Sequence, residues 1–140
     1  MKSRAYATAV LLHALCAGPD PLPAVATLYL TLHTADPSAG DDQAGDELPG
    51  IVRVSVPRVP VPRVAGQWHV EAGAATNADA FLFAAIPRGL PPARVSHWSL
   101  GMKASGPGGI VLCGQFKEPQ DVVAGMVLEI PPGQLRCVEF

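Results

Sequence analysis

Residues 26–34 of this 140-residue chain read A-T-L-Y-L-T-L-H-T. Leucines at every second position alternate with a tyrosine, a threonine and a histidine. Because successive side chains of a β-strand point to opposite faces, this period predicts a strand that buries Leu28, Leu30 and Leu32 and turns the other side chains outward. A strand that is buried on one face needs neighbouring strands, and the segments that follow supply them.

Further stretches have the composition of short strands, at residues 67–71, 81–85, 95–102, 110–116, 126–130 and 135–138. Turn-prone residues separate them, at 76–79, 87–92, 105–109 and 131–134. The chain contains 14 glycines and 15 prolines, which leaves little room for long helices. The sequence therefore predicts a single, mainly β domain over residues 1–140, with an antiparallel β-sandwich (jelly roll) at 26–140 and a short N-terminal helix before it.

The N-terminal segment, residues 1–18, allows two interpretations. Its apolar stretch at 5–17 follows a short basic start, which is typical of a secretory signal. The alternative is an amphipathic helix that ends at Gly18 and places Leu12 and Leu15 on its apolar face. We expect the helix, because the Gly-Pro stop follows the apolar run directly.

The most unusual stretch is residues 51–64, I-V-R-V-S-V-P-R-V-P-V-P-R-V. Proline removes backbone donors, so this segment is expected to be an edge strand that continues into an extended basic arm. Its candidate partner-binding residues are the arginines and prolines Arg53, Arg58, Arg63, Pro57, Pro60 and Pro62, and the three arginines are expected to project from the arm. Two roles stay open: a pre-stiffened arm that docks with little loss of entropy, or a row of residues that blocks an exposed sheet edge.

Charge argues against several classes of partner. The formal net charge is −2, so there is no basic excess for a nucleic-acid backbone or an anionic membrane. No apolar run reaches the roughly 18 residues that span a bilayer.

The loop at residues 36–49 is acidic but lacks the spacing of a known calcium loop, which favours a solvated, mobile loop over a calcium site.

Motifs for catalysis or metal binding are not found in the sequence. The four histidines have no metal-binding spacing, and the glycine-rich 105–109 lacks the residues of a phosphate cradle. We therefore expect no catalytic residue, no metal and no cofactor, and a protein that is not an enzyme. Pairing of Cys113 with His97 as a nucleophile stays open as an alternative, as does a Cys113–Cys137 bridge, although reduced thiols are expected.

Residues 27–37, T-L-Y-L-T-L-H-T-A-D-P, resemble the opening signature of a family of small tailed-bacteriophage virion proteins. Later segments are similar to the same family: G-I-V-R at 50–53, A-T-N at 75–77, V-S-H-W-S-L-G at 95–101, G-Q-F at 114–116, and the strand at 122–130. The chain departs from the family pattern at the Pro/Arg-rich 57–63 and at 91–93, where a tryptophan is usual.

The resemblance implies a structural virion protein, most like a capsid cement or decoration protein. Such a protein is made in the host cytoplasm, binds the outside of the phage head, contacts the major capsid protein and is expected to form a homodimer. Nucleic acid and membranes are not expected partners. The alternatives are a tail or fibre component, or a secreted carbohydrate- or receptor-binding β module that would lose the residues before about position 18.

Overall fold

The computed structural model describes residues 10–12, 14–15, 27–38, 40, 42–44, 47, 57–64, 66–89 and 91–138. Nine strands form in this part of the chain: β1 Thr27–His33, β2 Val59–Pro62, β3 Trp68–Glu71, β4 Ala74–Asn77, β5 Phe81–Leu82, β6 Ala93–Gly101, β7 Ile110–Val122, β8 Glu129–Ile130 and β9 Leu135–Val138. Seven of them form one antiparallel sheet in the order β2-β1-β6-β7-β9-β4-β3, and β5 pairs with β8 in a second sheet. The prediction of a mainly β, antiparallel domain of the sandwich type is confirmed.

The core lies on the face of the large sheet to which the leucines of β1 point. Leu28, Leu30 and Leu32 are buried as predicted. The fully buried Trp98 lies opposite Leu32 on the neighbouring strand, and its indole stacks on Trp68 with a centroid distance of 5.9 Å. Indole rings of this size contribute a large apolar area, so the two tryptophans join the central strands to the β3 edge of the sheet.

The opposite face of β1 differs from the prediction. Thr31 and His33 were expected to point to solvent, yet both are buried, and so is Ser99 on β6. The acidic loop after β1 contributes to this cover, because the buried side chain of Gln43 lies directly against Gly101. Alternation of side chains identifies the two faces of a strand, but it does not reveal that a loop covers the second one.

The N-terminal helix is seen in part. Val10, Leu11, Leu12, Ala14 and Leu15 are helical, and the other residues of 1–18 lie outside the described residues. Leu11 and Leu15 are buried, four residues apart on one helical face, whereas Leu12 is 44% exposed. The predicted apolar face was therefore wrong at Leu12 and right at Leu15. In the described part of the chain, no helix is long and apolar enough to cross a bilayer.

Several strand boundaries differ from the prediction: β5 and β8 are shorter than the predicted 81–85 and 126–130, and β6 begins two residues before position 95. Thr76 and Asn77 were expected to form a turn but end strand β4, which follows β3 after the two-residue turn Ala72-Gly73. Strand β7 continues to Val122, six residues beyond the predicted end. The register between β6 and β7 shifts in this extension, and Pro119 lies in the irregular region, where a missing backbone donor is tolerated.

The thiols of Cys113 and Cys137 do not form the bridge that was left open. Gln115 of β7 lies opposite Arg136 of β9, so these two side chains share one face of the sheet. Cys113 is two residues from Gln115 and shares that face, whereas Cys137 follows Arg136 and points to the other face, where it is buried. Side chains on opposite faces of a sheet cannot form a disulfide without a change in the backbone.

Candidate functional site

Strand β2 forms one edge of the large sheet, but it lies at Val59–Pro62, where the sequence predicts the extended arm rather than the strand before it. The expected strand at residues 51–56 lies outside the described residues. Val59 and Val61 lie opposite Leu30 and Leu28, and the alternate positions are Pro60 and Pro62. Only the valines have an N–H to donate to β1, so the proline nitrogens occupy the positions that face away from the sheet. The outer side of β2 therefore lacks backbone donors, and another strand cannot extend the sheet at this edge.

Arg58 does not project from this edge, and the prediction that it does is wrong. Its side chain is 1% exposed and forms a two-pronged ion pair with Glu47, with Nε–Oε2 and Nη2–Oε1 distances of 2.8 Å. Nη1 also donates to the carbonyl oxygen of Lys103 and Nη2 to that of Gly106, each at 2.8 Å. With these four hydrogen bonds the guanidinium group holds three segments together, namely the acidic loop, β2 and the β6–β7 loop.

Arg63 also points inward, against the prediction. It is 2% exposed, and its Nε donates a 2.8 Å hydrogen bond to the carbonyl oxygen of Ala14. Arg63 thus joins the edge strand to the helical residues at 14–15.

The exposed surface of the arm consists of its prolines. Pro57, Pro60 and Pro62 are exposed, and Val64 after them is 49% exposed. Arg53, the third candidate arginine, lies outside the described residues. Of the predicted partner-binding set, the prolines are placed on the surface, and their role in binding stays a prediction.

Residues 42, 43 and 47 of the acidic loop are bonded to the body of the protein, which corrects the expectation of a solvated loop at these positions. Gln43 is fully buried, and its side-chain carboxamide exchanges hydrogen bonds with the backbone of Lys103. The backbone N–H of Gln43 donates to the carbonyl oxygen of Gly108. Asp42 accepts hydrogen bonds from Ala44 and Gly108. Among the described residues there is no group of three or more His, Cys, Asp and Glu that could hold a metal ion.

Asp36 at the start of this loop has a pKa below its ordinary value. The backbone amide of Ser38 donates to the Asp36 carboxylate at 2.9 Å, and the Ser38 hydroxyl adds a second hydrogen bond. Hydrogen bonds to the charged form favour it, which lowers the pKa. The bond closes a local turn of the kind that aspartate forms with the backbone two residues ahead.

The strand register places the two residues of the nucleophile alternative on one face of the sheet. Cys113 lies opposite Ser99 and His97 lies opposite Gln115, so the thiol and the imidazole are diagonal neighbours. Nδ1 of His97 lies 2.8 Å from the Ser96 hydroxyl. A second contact, His33 Nε2 to Ser99 Oγ at 2.7 Å, is fully buried and has no route to a substrate. The absence of enzymatic activity stays a prediction.

A shallow groove of about 520 Å³ runs along β7 and β9. Its walls are residues 113–117 with Arg136 and Cys137, and its charged side chains are Lys117 and Arg136. The aromatic ring in this wall, Phe116, is buried in the core rather than presented to the groove. It therefore offers no stacking surface of the kind that a sugar-binding site would use.

Comparison with known proteins identifies a family. A family model described as podophage GP4 fiber I protein gp80 matches residues 2–137, which is nearly the whole chain. No curated protein matches the sequence. The matched range includes the large sheet, the second sheet, the proline-lined edge and the loops that Arg58 holds.

Proposed function

This chain belongs to the family of the podophage GP4 fiber I protein gp80, and from that premise we propose that it is a capsid cement protein. Membership of this family supports a structural role in a phage virion. Our proposal concerns the location of the protein within the virion. In this proposal the protein is made in the host cytoplasm, binds the outside of the head as a homodimer and stabilises contacts between major capsid subunits.

The observation that carries the proposal is the construction of the β2 edge. Arg58 and Arg63 turn inward and fix the strand to the body, while Pro57, Pro60 and Pro62 face outward. A surface of fixed prolines loses little conformational entropy when it docks, because their backbone is already restricted. Several such contacts on one shell raise the overall binding affinity above that of a single contact. A cement protein that binds the expanded lattice also stabilises that lattice by mass action.

A fibre component is the second candidate, and the printed name of the matched family favours it. The same rigid edge would then contact a neighbouring tail or fibre protein. A secreted β module remains the third possibility, and N-terminal sequencing of the mature protein would reveal it by the loss of the residues before about position 18.

Fractionation of purified virions into heads and tails distinguishes the first two candidates. A cement protein should be found on heads in many copies, whereas a fibre component should be found on tails in few. Detection on tails alone would overturn the cement proposal and support the fibre role. Absence of the protein from purified virions would contradict both.

The role of the edge prolines is tested by binding to isolated heads. We expect the triple variant Pro57→Ser, Pro60→Ser, Pro62→Ser to bind at least about tenfold more weakly, because each serine restores backbone freedom that docking must remove. The matched control is Pro91→Ser with Pro92→Ser, since these prolines are equally exposed but lie in the loop before β6. Binding of the triple variant at wild-type occupancy would remove the prolines from the mechanism.

A further inference from the structure

Strand β3 is the second edge of the large sheet, and in the part of the chain that the structure describes no strand lies beyond it. The turn Ala72-Gly73 has φ angles of 52° and 80°, as in the two-residue turns whose flanking residues exchange both hydrogen bonds. Glu71 is therefore hydrogen-bonded to Ala74, and the pattern alternates along the pair of strands. The bond from the Ala78 amide to the Gln67 carbonyl, 2.9 Å, agrees with this alternation.

It follows that the backbone groups of Trp68 and Val70 point away from β4. These two residues offer two N–H donors and two C=O acceptors at the outer edge, and no described strand pairs with them. Unpaired edges of this kind are templates for another strand, and β2 at the opposite edge has prolines that prevent such pairing. Strand β3 has neither a proline nor a lysine.

We infer that β3 of one copy pairs antiparallel with β3 of a second copy, about a two-fold axis at His69. In this register Trp68 lies opposite Val70 of the second copy and Val70 lies opposite its Trp68. Every outward backbone group of these residues is then used, in four hydrogen bonds. In a two-fold interface the same residues of both copies contact each other, and this register meets that requirement because Trp68 and Val70 of one copy bond to Val70 and Trp68 of the other.

The side chains of β3 suit the same register. Trp68 is buried and the half-buried Val70 packs against the core, so their pairing across the axis continues the apolar face of the sheet. His69 and Glu71 are exposed on the other face. Across the axis the two His69 side chains lie directly opposite each other, and the carboxylate of Glu71 is a diagonal neighbour of the second copy's imidazole.

A second copy is the occupant that fits best because the pairing is self-complementary in backbone groups and in apolar side chains. Strands β5 and β8 are two residues long each and offer less edge than β3. The inference deepens the homodimer of the proposed function by naming its contact surface. A strand donated by a different protein is the competing occupant, and the test distinguishes it.

The first measurement is the mass of the full chain in solution, by sedimentation velocity at several concentrations. We expect a mass twice that of the chain. Val70→Pro removes a donor that faces outward and His69→Glu places two carboxylates opposite each other across the axis, so each should weaken dimerisation by about tenfold or more. Leu82→Lys is the control, because it adds a charge at an equally accessible site on β5 and should leave the dimer unchanged.

The second measurement does not depend on any variant. In amide hydrogen exchange, the N–H groups of His69 and Glu71 donate within the β3–β4 pair and should be protected at every concentration. Those of Trp68 and Val70 should become protected only as the dimer forms. This contrast keeps the inference testable if Val70→Pro fails to fold.

Three results would overturn the inference: a monomeric wild type, variants at 69 and 70 that dimerise normally, or a Leu82→Lys variant that dissociates. A wild type that is monomeric alone but gains protection at Trp68 and Val70 on the virion would assign the edge to another protein's strand. The proposed function can fail without the interface. A protein that dimerises with the expected exchange pattern but does not bind heads would contradict the cement role and support the β3 interface.

Discussion

Replacement of Arg58 tests whether this side chain stabilises the fold or binds a partner. Arg58→Ala removes a two-pronged ion pair to Glu47 and two hydrogen bonds to carbonyl oxygens. Removal of one partner from a buried pair costs about 3–5 kcal/mol. Because the Glu47 side chain is 19% exposed and can regain some water, we expect the lower end, about 3 kcal/mol.

Urea unfolding of the wild type and a set of variants measures this loss. A domain of this size has about 5–15 kcal/mol of stability, so Arg58→Ala should still be folded at the start of the titration. Arg58→Lys keeps the charge but loses the planar fork, and should lose about 1–2 kcal/mol. The double variant Arg58→Ala with Glu47→Gln should be less destabilised than the sum of the single variants, by about 1–2 kcal/mol.

The opposite result is equally informative. If Arg58→Ala unfolds within about 0.5 kcal/mol of the wild type, the range typical of an exposed position, the buried ion pair does not exist in solution. If that variant is also impaired in binding to heads, the arginine projects and contacts a partner. A loss of stability with normal binding of the folded variant supports the structural role.

Four further predictions concern single positions. Asn77→Ala should lower the free energy of unfolding in urea by about 3 kcal/mol, because its buried amide forms three hydrogen bonds to backbone groups, and a loss under about 1 kcal/mol would contradict this. Gly114→Ala should cost at least about 2 kcal/mol by the same assay, since a Cβ there would overlap a β9 carbonyl oxygen and the Trp98 ring; a neutral result would exclude that close approach. Ala72→Gly should raise the stability by about 0.5–1 kcal/mol in thermal unfolding, because residue 72 has a φ of 52°, and a lower Tm would refute the turn geometry. The pKa of Asp36 should lie below 3.8 by NMR titration, so the contribution of this carboxylate to stability is complete above that pH and is lost as the pH falls through the folded pKa. Ser38→Ala should raise the pKa of Asp36, and an unchanged pKa would refute the contact with the Ser38 hydroxyl.

A strand can be predicted from the sequence when the alternation of its own apolar and polar residues determines which side chains are buried. The leucines of β1 alternate without interruption, so their inward direction could be read from the sequence. Strand β4 was missed because Thr76 and Asn77 resemble a turn in isolation. Their extended conformation depends on β3 on one side and β9 on the other, and β9 lies about 60 residues away in the sequence.

The arginines of the candidate site show a second limit. That the stretch forms an edge strand followed from its prolines, but the direction of its arginines did not. Arg58 pairs with Glu47, 11 residues earlier, and Arg63 bonds to Ala14, 49 residues earlier. Neither spacing is a local motif. An isolated basic side chain is more often exposed than buried, so sequence alone favours the wrong direction.

The absence of outward donors on β2 has a consequence for stoichiometry. A sheet with two open edges can add copies at both ends and grow into a filament of indefinite length. A sheet that is closed at one end can accept one neighbour, after which no growing point remains. Pairing of large sheets through β3 would thus stop at two copies and would not extend into a filament.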